Sequence, residues 1–306
     1  MSGEAVTEIR RALTSSSSLL VSKSADIAGN RRLQELAPEM VSAFDKFMVD
    51  SGRSDKQCKA KISIVNTLNA LEFMGDSVFL IGVRHVQMEP AFEKFIDTAV
   101  KLRSGCAYGL ARIDHPDAYL MLAELLVDQE HPVRSAAAKA LGYLGSPESE
   151  LMLRLKVLTG DPVPEVISEC FIALMTMIPD RSLEFVSRYL QSEDPGVVEY
   201  AALAIGGSRI PQAFDTLREC WNSNPSPATR RAILLPIALV RSDDAVEFLC
   251  KVVCNSDIRT AAQAISALSL YADDRSVNKI REAVKTRGNA DIADRFEREF
   301  GERIGM

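Results

Sequence analysis

The chain has 306 residues, 47% of them hydrophobic, with 36 Lys+Arg against 42 Asp+Glu and a net charge of −6. This is enough apolar material for a sizeable core, which excludes disorder of the whole chain, and no apolar run approaches the ~18 residues a membrane helix needs. Residues 113–222 hold 8 basic and 17 acidic side chains. The middle of the chain therefore repels phosphate, and no dense basic stripe points to nucleic acid.

Residues 1–30 are Ser-rich and weakly patterned, so a short helix and a flexible segment are expected there. The stretch lacks the apolar core of a secretory signal, from which a cytoplasmic location is expected. Residues 31–89 read as an irregular helical cap, with amphipathic runs LQELAPEMVSAFDKFMV and KAKISIVNTLNALEFM. The following run, VFLIGVRHVQMEPAFEKFIDTAV, reads as an apolar helical pair. Within it His85, Glu89 and Glu93 recur every four residues, but Pro90 interrupts any helix that would gather them.

From residue 90 to 290 the chain repeats itself. Six segments superpose, beginning at Leu102, Val133, Val166, Val197, Thr229 and Ile258, at intervals of 31, 33, 31, 32 and 29 residues. Apolar or small residues fall at offsets 0, 4, 7, 8 and 11 from each start, as in Val133, Ala137, Ala140, Leu141 and Leu144. That is helical spacing, and second amphipathic runs lie between the segments, so each unit is a pair of short helices. A period of this length built from one supersecondary unit marks a solenoid, in which each unit buries its apolar face on its neighbours. Prolines such as Pro132, Pro147, Pro164, Pro179, Pro195, Pro211 and Pro227 fall at the expected helix starts, whereas Pro236 falls inside a helix, where a kink is expected. Residues 291–306, including IADRFEREFGERI, read as a capping helix.

Six cysteines without a C-x-x-C argue against a zinc ribbon or redox dithiol and read as reduced, mostly buried residues. Only three histidines exist, His85, His115 and His131, and the latter two precede prolines in turns. No phosphate-binding glycine loop or nucleophile–base spacing is present, so no catalytic residue, metal ligand or cofactor is assigned.

With HPVRSAAAKALGYLG at His131–Gly145, the chain resembles the HEAT-repeat family, especially the short bacterial type seen in phycobilisome lyases. The resemblance implies an all-α, right-handed solenoid of about six to seven helical pairs. Such repeats place an Asp six positions before an Arg, a spacing matched by Asp97 with Arg103 and Asp128 with Arg134. Elsewhere the pattern lapses, with Asn224 before Arg230 and Cys254 before Arg259. Deoxyhypusine hydroxylase, a di-iron relative, uses repeated His-Glu dipeptides, and this chain has none.

In HEAT-like arrays the second helix of each pair lines the concave side. Offset 1 there reads Arg103, Arg134, Ile167, Val198, Arg230 and Arg259, with Arg231 at offset 2 and Tyr108 and Lys139 at offset 6. These positions suggest a groove with basic ends and an apolar centre, suited to an acidic or amphipathic protein segment. The alternative for the arginines is pairing with turn aspartates between repeats. The expected role is a non-catalytic scaffold or adaptor binding a protein partner, without nucleic acid or membrane, the rival being a lyase-type or cofactor-handling protein.

Overall fold

The computed structural model describes residues 3–304, with side chains through residue 301. Residues 1–2 of the expected flexible segment and 305–306 of the expected capping helix lie outside the described residues. The chain divides into two compact units, Met1–Thr159 and Gly160–Met306.

The first unit holds α1 (Gly3–Leu13), α2 (Ser18–Asn30), α3 (Ala37–Met48), the single turn α4 (Ser51–Ser54), α5 (Lys59–Ala70) and α6 (Ser77–Gly82). Then come strands β1 (Met88–Ala91) and β2 (Lys94–Asp97), and helices α7 (Val100–Arg112), α8 (Ala118–Leu125), α9 (His131–Leu144) and α10 (Pro147–Thr159). Helices α2, α5, α7 and α9 pack side by side in one layer, with α1, α3, α6 and α8 laid against them and α10 against α8 and α9. Small residues permit this approach: Ala107, Ala137 and Ala138 are fully buried, and a Cβ on Gly109 would collide with the Phe79 ring.

The second unit holds α11 (Pro164–Met177), α12 (Pro179–Ser187), α13 (Pro195–Ser208), α14 (Pro211–Ser223), α15 (Pro227–Leu239), α16 (Asp243–Asn255), α17 (Ile258–Leu268), α18 (Asp274–Arg287) and α19 (Ala290–Ile304). Here α11, α13, α15, α17 and α19 form one layer, and α12, α14, α16 and α18 pack on it. Prolines open α10 through α15 as their spacing implies, because the first turn has no use for the missing N–H. Side chains of Asp194, Ser226, Ser242, Asp257 and Asp273 cap α13, α15, α16, α17 and α18 by accepting first-turn amides. Helix α15 continues through Pro236 to Leu239.

Two expectations are corrected. The supposed flexible segment over residues 1–30 is helical where it is described: Ser17 caps α2, and Val21, Ala25 and Ala28 are fully buried. The supposed helical pair over 78–100 is instead the short α6 followed by an antiparallel hairpin that pairs Met88 with Asp97 and Pro90 with Phe95. Pro90 cannot donate to a helix, and Phe92 turns the hairpin in the left-handed region at φ 53°. His85, Glu89 and Glu93 are accordingly not on one helical face.

Candidate partner-binding face

The arginine spacing resolves into a buried framework. Arg103 is 3% exposed. Its Nη1 donates to Asp97 Oδ2 at 2.6 Å and to the His85 carbonyl at 2.9 Å, while Nε and Nη2 donate to Asp128 at 2.9 and 3.1 Å. One guanidinium thus joins its own turn to that of the next repeat through a bidentate contact. Burial disfavours the Asp97 charge, but the Ala99 amide, the Arg103 guanidinium and the Gln87 amide outweigh it and hold the pKa below the usual range. Arg134, also buried, donates from Nη1 to the carbonyls of Asp128 and Gln129 at 2.8 and 3.0 Å.

The same geometry recurs in the second unit, where Arg230, half-buried, donates from Nε to the Asn224 carbonyl at 2.7 Å. A main-chain oxygen six residues upstream does the work whether the residue there is Asp or Asn. Arg231 is half-buried and sits close enough to Asp257 to help lower its pKa, after the larger effects of the Thr260 hydroxyl and amide. Arg259 is exposed.

Offset 1 is therefore no surface strip over most of its length. Ile167 and Val198, the expected apolar centre, are 7% and 1% exposed. In α7, α9, α11 and α13 the first turn faces its preceding turn, so what stands at offset 1 there is buried. Arg103 and Arg134 belong to the framework between repeats, and their donors are committed to it.

Five residues farther along the same helices the surface opens. Tyr108 is 43% exposed and meets Tyr143 of α9 edge to face, with ring centroids 5.5 Å apart. Lys139 is exposed beside it in the sequence order of repeats. In the second unit the equivalent positions are Ile172, Leu203, Leu235 and Ala264, of which Ile172 and Leu235 are each 43% exposed and Ala264 is fully buried. Tyr143, Ile172 and Leu235 went unnoticed in the sequence. For Ile172 and Leu235 the signal was the offset-6 register itself, whose large apolar residues do not belong to the core set at offsets 0, 4, 7, 8 and 11; Tyr143 lies at offset 10, also outside that set.

The three histidines are not brought together. His85 Nε2 lies 3.3 Å from Gln87 Oε1, His115 Nδ1 accepts the Asp117 amide, and His131 is exposed at the start of α9. No group of three His, Cys, Asp or Glu side chains among the described residues is placed to hold a metal ion. Burial raises the Cys58 and Cys250 thiols to about 11 and pushes Cys106 up as well. No helix among the described residues is long and apolar enough to cross a membrane.

Human deoxyhypusine hydroxylase is 34% identical over 99 residues, 32% of this chain and 30% of the hydroxylase. The chain thus spans less than a third of the length of that curated relative. The same human enzyme in complex with glycerol superposes with a TM-score of 0.33 at 18% identity, covering 94% of this chain and 99% of the other. The complex of CpcE and CpcF of phycocyanin lyase from Nostoc sp. PCC7120 superposes with a TM-score of 0.39 at 17% identity, covering 90% and 93%. The family model for HEAT repeats matches residues 89–154 and 151–235. With the helices of each unit packed as pairs in two layers, residues 89–235 carry repeats that match the HEAT-repeat model.

Proposed function

We propose that the chain is a non-catalytic scaffold or adaptor that binds a protein segment on the second-helix faces of its repeats. The observation that carries this is the set of large apolar side chains left exposed on second helices whose core-facing residues are buried, with Tyr108, Ile172 and Leu235 each 43% exposed at offset 6. In the first unit Tyr108 and Tyr143 offer rigid aromatic anchors, and in the second unit Ile172, Leu203 and Leu235 offer an apolar track, each a surface suited to docking a peptide. Arg230, Arg231 and Arg259 add positive charge beside Leu235, which suits an acidic or amphipathic segment. The partner is reached without membrane or nucleic acid, and the setting is cytoplasmic.

Substitution of Arg230 and Arg231 by Glu, with Leu235→Glu as a second variant, tests this. A partner lost from affinity purification while helicity is unchanged supports the adaptor, and indifference to both variants removes the face. The lyase-type or cofactor-handling alternative is decided by an absorbance spectrum and metal analysis of the purified chain: chromophore or stoichiometric metal would replace the adaptor.

A further inference from the structure

A cavity of about 530 Å³ opens in the first unit where the starts of α5 and α7 come together. Lys59 and Lys101 stand on its rim, the Thr98 and Gln57 side chains line it, and Ile62 and Val100 give it an apolar wall. We infer that this cavity binds an oxyanion, carboxylate or phosphate, carried on a small apolar body. The inference goes beyond the partner-binding face and does not depend on it.

The charges around the cavity are unbalanced. Lys59 and Lys101 are exposed and take part in no ion pair among the described residues. Two other lysines of the unit show what commitment looks like: Lys61 pairs with Asp55 at 3.1 Å, and Lys46 donates to the carbonyls of Thr14 and Ser15. The carboxylates nearby cannot compensate. Asp97 lines the cavity, but its Oδ2 accepts from Arg103, and its Oδ1 accepts the amides of Gln87 and Ala99. Glu89 Oε1 accepts from the Gln57 amide, Gln87 Nε2 and Thr98 Oγ1 at 2.6, 2.6 and 2.9 Å. Neither lysine serves its own helix, because each stands in a first turn that contains no acidic residue, where a cation opposes the macrodipole. An anion between them removes both mismatches.

The walls are fixed before any ligand arrives. Gln57 and Cys58 both occupy the left-handed region, at φ 61° and 51°. They are held there by Glu89 on one side and on the other by Asp55, fully buried, whose carboxylate accepts the amides of Ala60 and Lys61. A site that needs no reordering keeps more of its contact energy as affinity. The apolar wall selects anions that carry a body over bare ones.

The test is a titration of the full chain, labelled with nitrogen-15, with phenyl phosphate, hexanoate, inorganic phosphate and phenol as separate probes. Saturable amide shifts confined to residues 57–62 and 98–102, with a Kd of about 1 mM or tighter for phenyl phosphate or hexanoate, are expected. Which of the two binds better decides between a phosphate and a carboxylate source. Phenol and inorganic phosphate are each expected to bind at least about tenfold more weakly. The double variant K59Q/K101Q, whose side chains are exposed, is expected to keep a dispersed spectrum and lose about tenfold in affinity, whereas K94Q on the hairpin is expected to leave it unchanged. Shifts that rise linearly without saturation, or an unaltered Kd in K59Q/K101Q, would overturn the site.

Discussion

Arg103 reaches across 25 residues of sequence to grip both carboxylate oxygens of Asp128 through Nε and Nη2, at 2.9 and 3.1 Å. The same guanidinium holds Asp97, so its removal leaves two carboxylates in a water-poor site without their counter-charge. Arg103→Met is therefore expected to destabilise the first unit by roughly 3–5 kcal/mol. Urea unfolding measures it, and a loss below about 1 kcal/mol, the level of an exposed pair, would contradict the buried framework.

The pH dependence follows from Asp97. Its folded pKa lies below the ordinary 3.8, so its contribution is fully present above that value and is lost as pH falls through the lower folded one. Urea midpoints of the wild type are expected to drop steeply below pH ~4, and Arg103→Met, lacking the guanidinium that favours the charged form, is expected to show a shallower drop. Parallel curves for the two proteins would refute the assignment.

Glu89 fastens the hairpin to the strained turn. Glu89→Ala removes the acceptor of the Gln57 amide, Gln87 Nε2 and Thr98 Oγ1, at an expected cost of about 1–3 kcal/mol. Hydrogen exchange should quicken at residues 56–58 and 87–98 and nowhere else. Uniform acceleration, or none, would count against this role.

Gly206 of α13 lies against the backbone of α15. A Cβ there would stand 2.8 Å from the Pro236 carbonyl carbon and closer still to its oxygen, and backbone cannot swing aside as a side chain does. Gly206→Ala is expected to lower stability by about 1–3 kcal/mol despite alanine's better helix propensity. A stabilised variant in thermal melts would show that the two helices part easily.

Thiol reactivity checks the core. Cys58 and Cys250, raised to about 11, and the fully buried Cys106 are almost wholly protonated at neutral pH. Iodoacetamide at pH ~8 should leave all three unmodified in the native chain and modify them in urea, as read by mass spectrometry of peptides. Rapid native labelling of Cys58 or Cys106 would contradict their burial.

The repeats were legible in the sequence because small and apolar residues return in the same order at each second helix, and prolines mark the starts. The Asp–Arg interval was legible too, since Asp97–Arg103 and Asp128–Arg134 share it. Which atoms answer each other was not: Arg134 and Arg230 take main-chain carbonyls, so no side-chain pattern records the contact. The arginines of offset 1 looked like surface because arginine usually is surface. Their burial depends on the turn of the neighbouring repeat, which a single helix does not encode. Helix α2 hid behind a serine tract in which Ser17 is a cap and Ser22 and Ser24 are buried among small residues. The hairpin hid because VFLIG and the apolar residues after Pro90 suit a buried helix as well as a strand. The Asp55–Lys61 pair, with both side chains fully buried, joins a polar run before α5 to the first turn of that helix, a contact no sequence pattern records.

The most direct measurement is quantitative affinity purification of three tagged forms of the full chain: wild type, Tyr143→Glu/Leu235→Glu on the second-helix faces, and Leu151→Glu/Leu155→Glu on α10, all four positions being exposed. With circular dichroism equal for all three, the proposed face requires one or more proteins that bind the wild type and the α10 variant alike and are depleted at least about tenfold by the first variant. Equal recovery with the first variant, or depletion only with the α10 variant, would place the binding surface elsewhere and end the case for the second-helix faces.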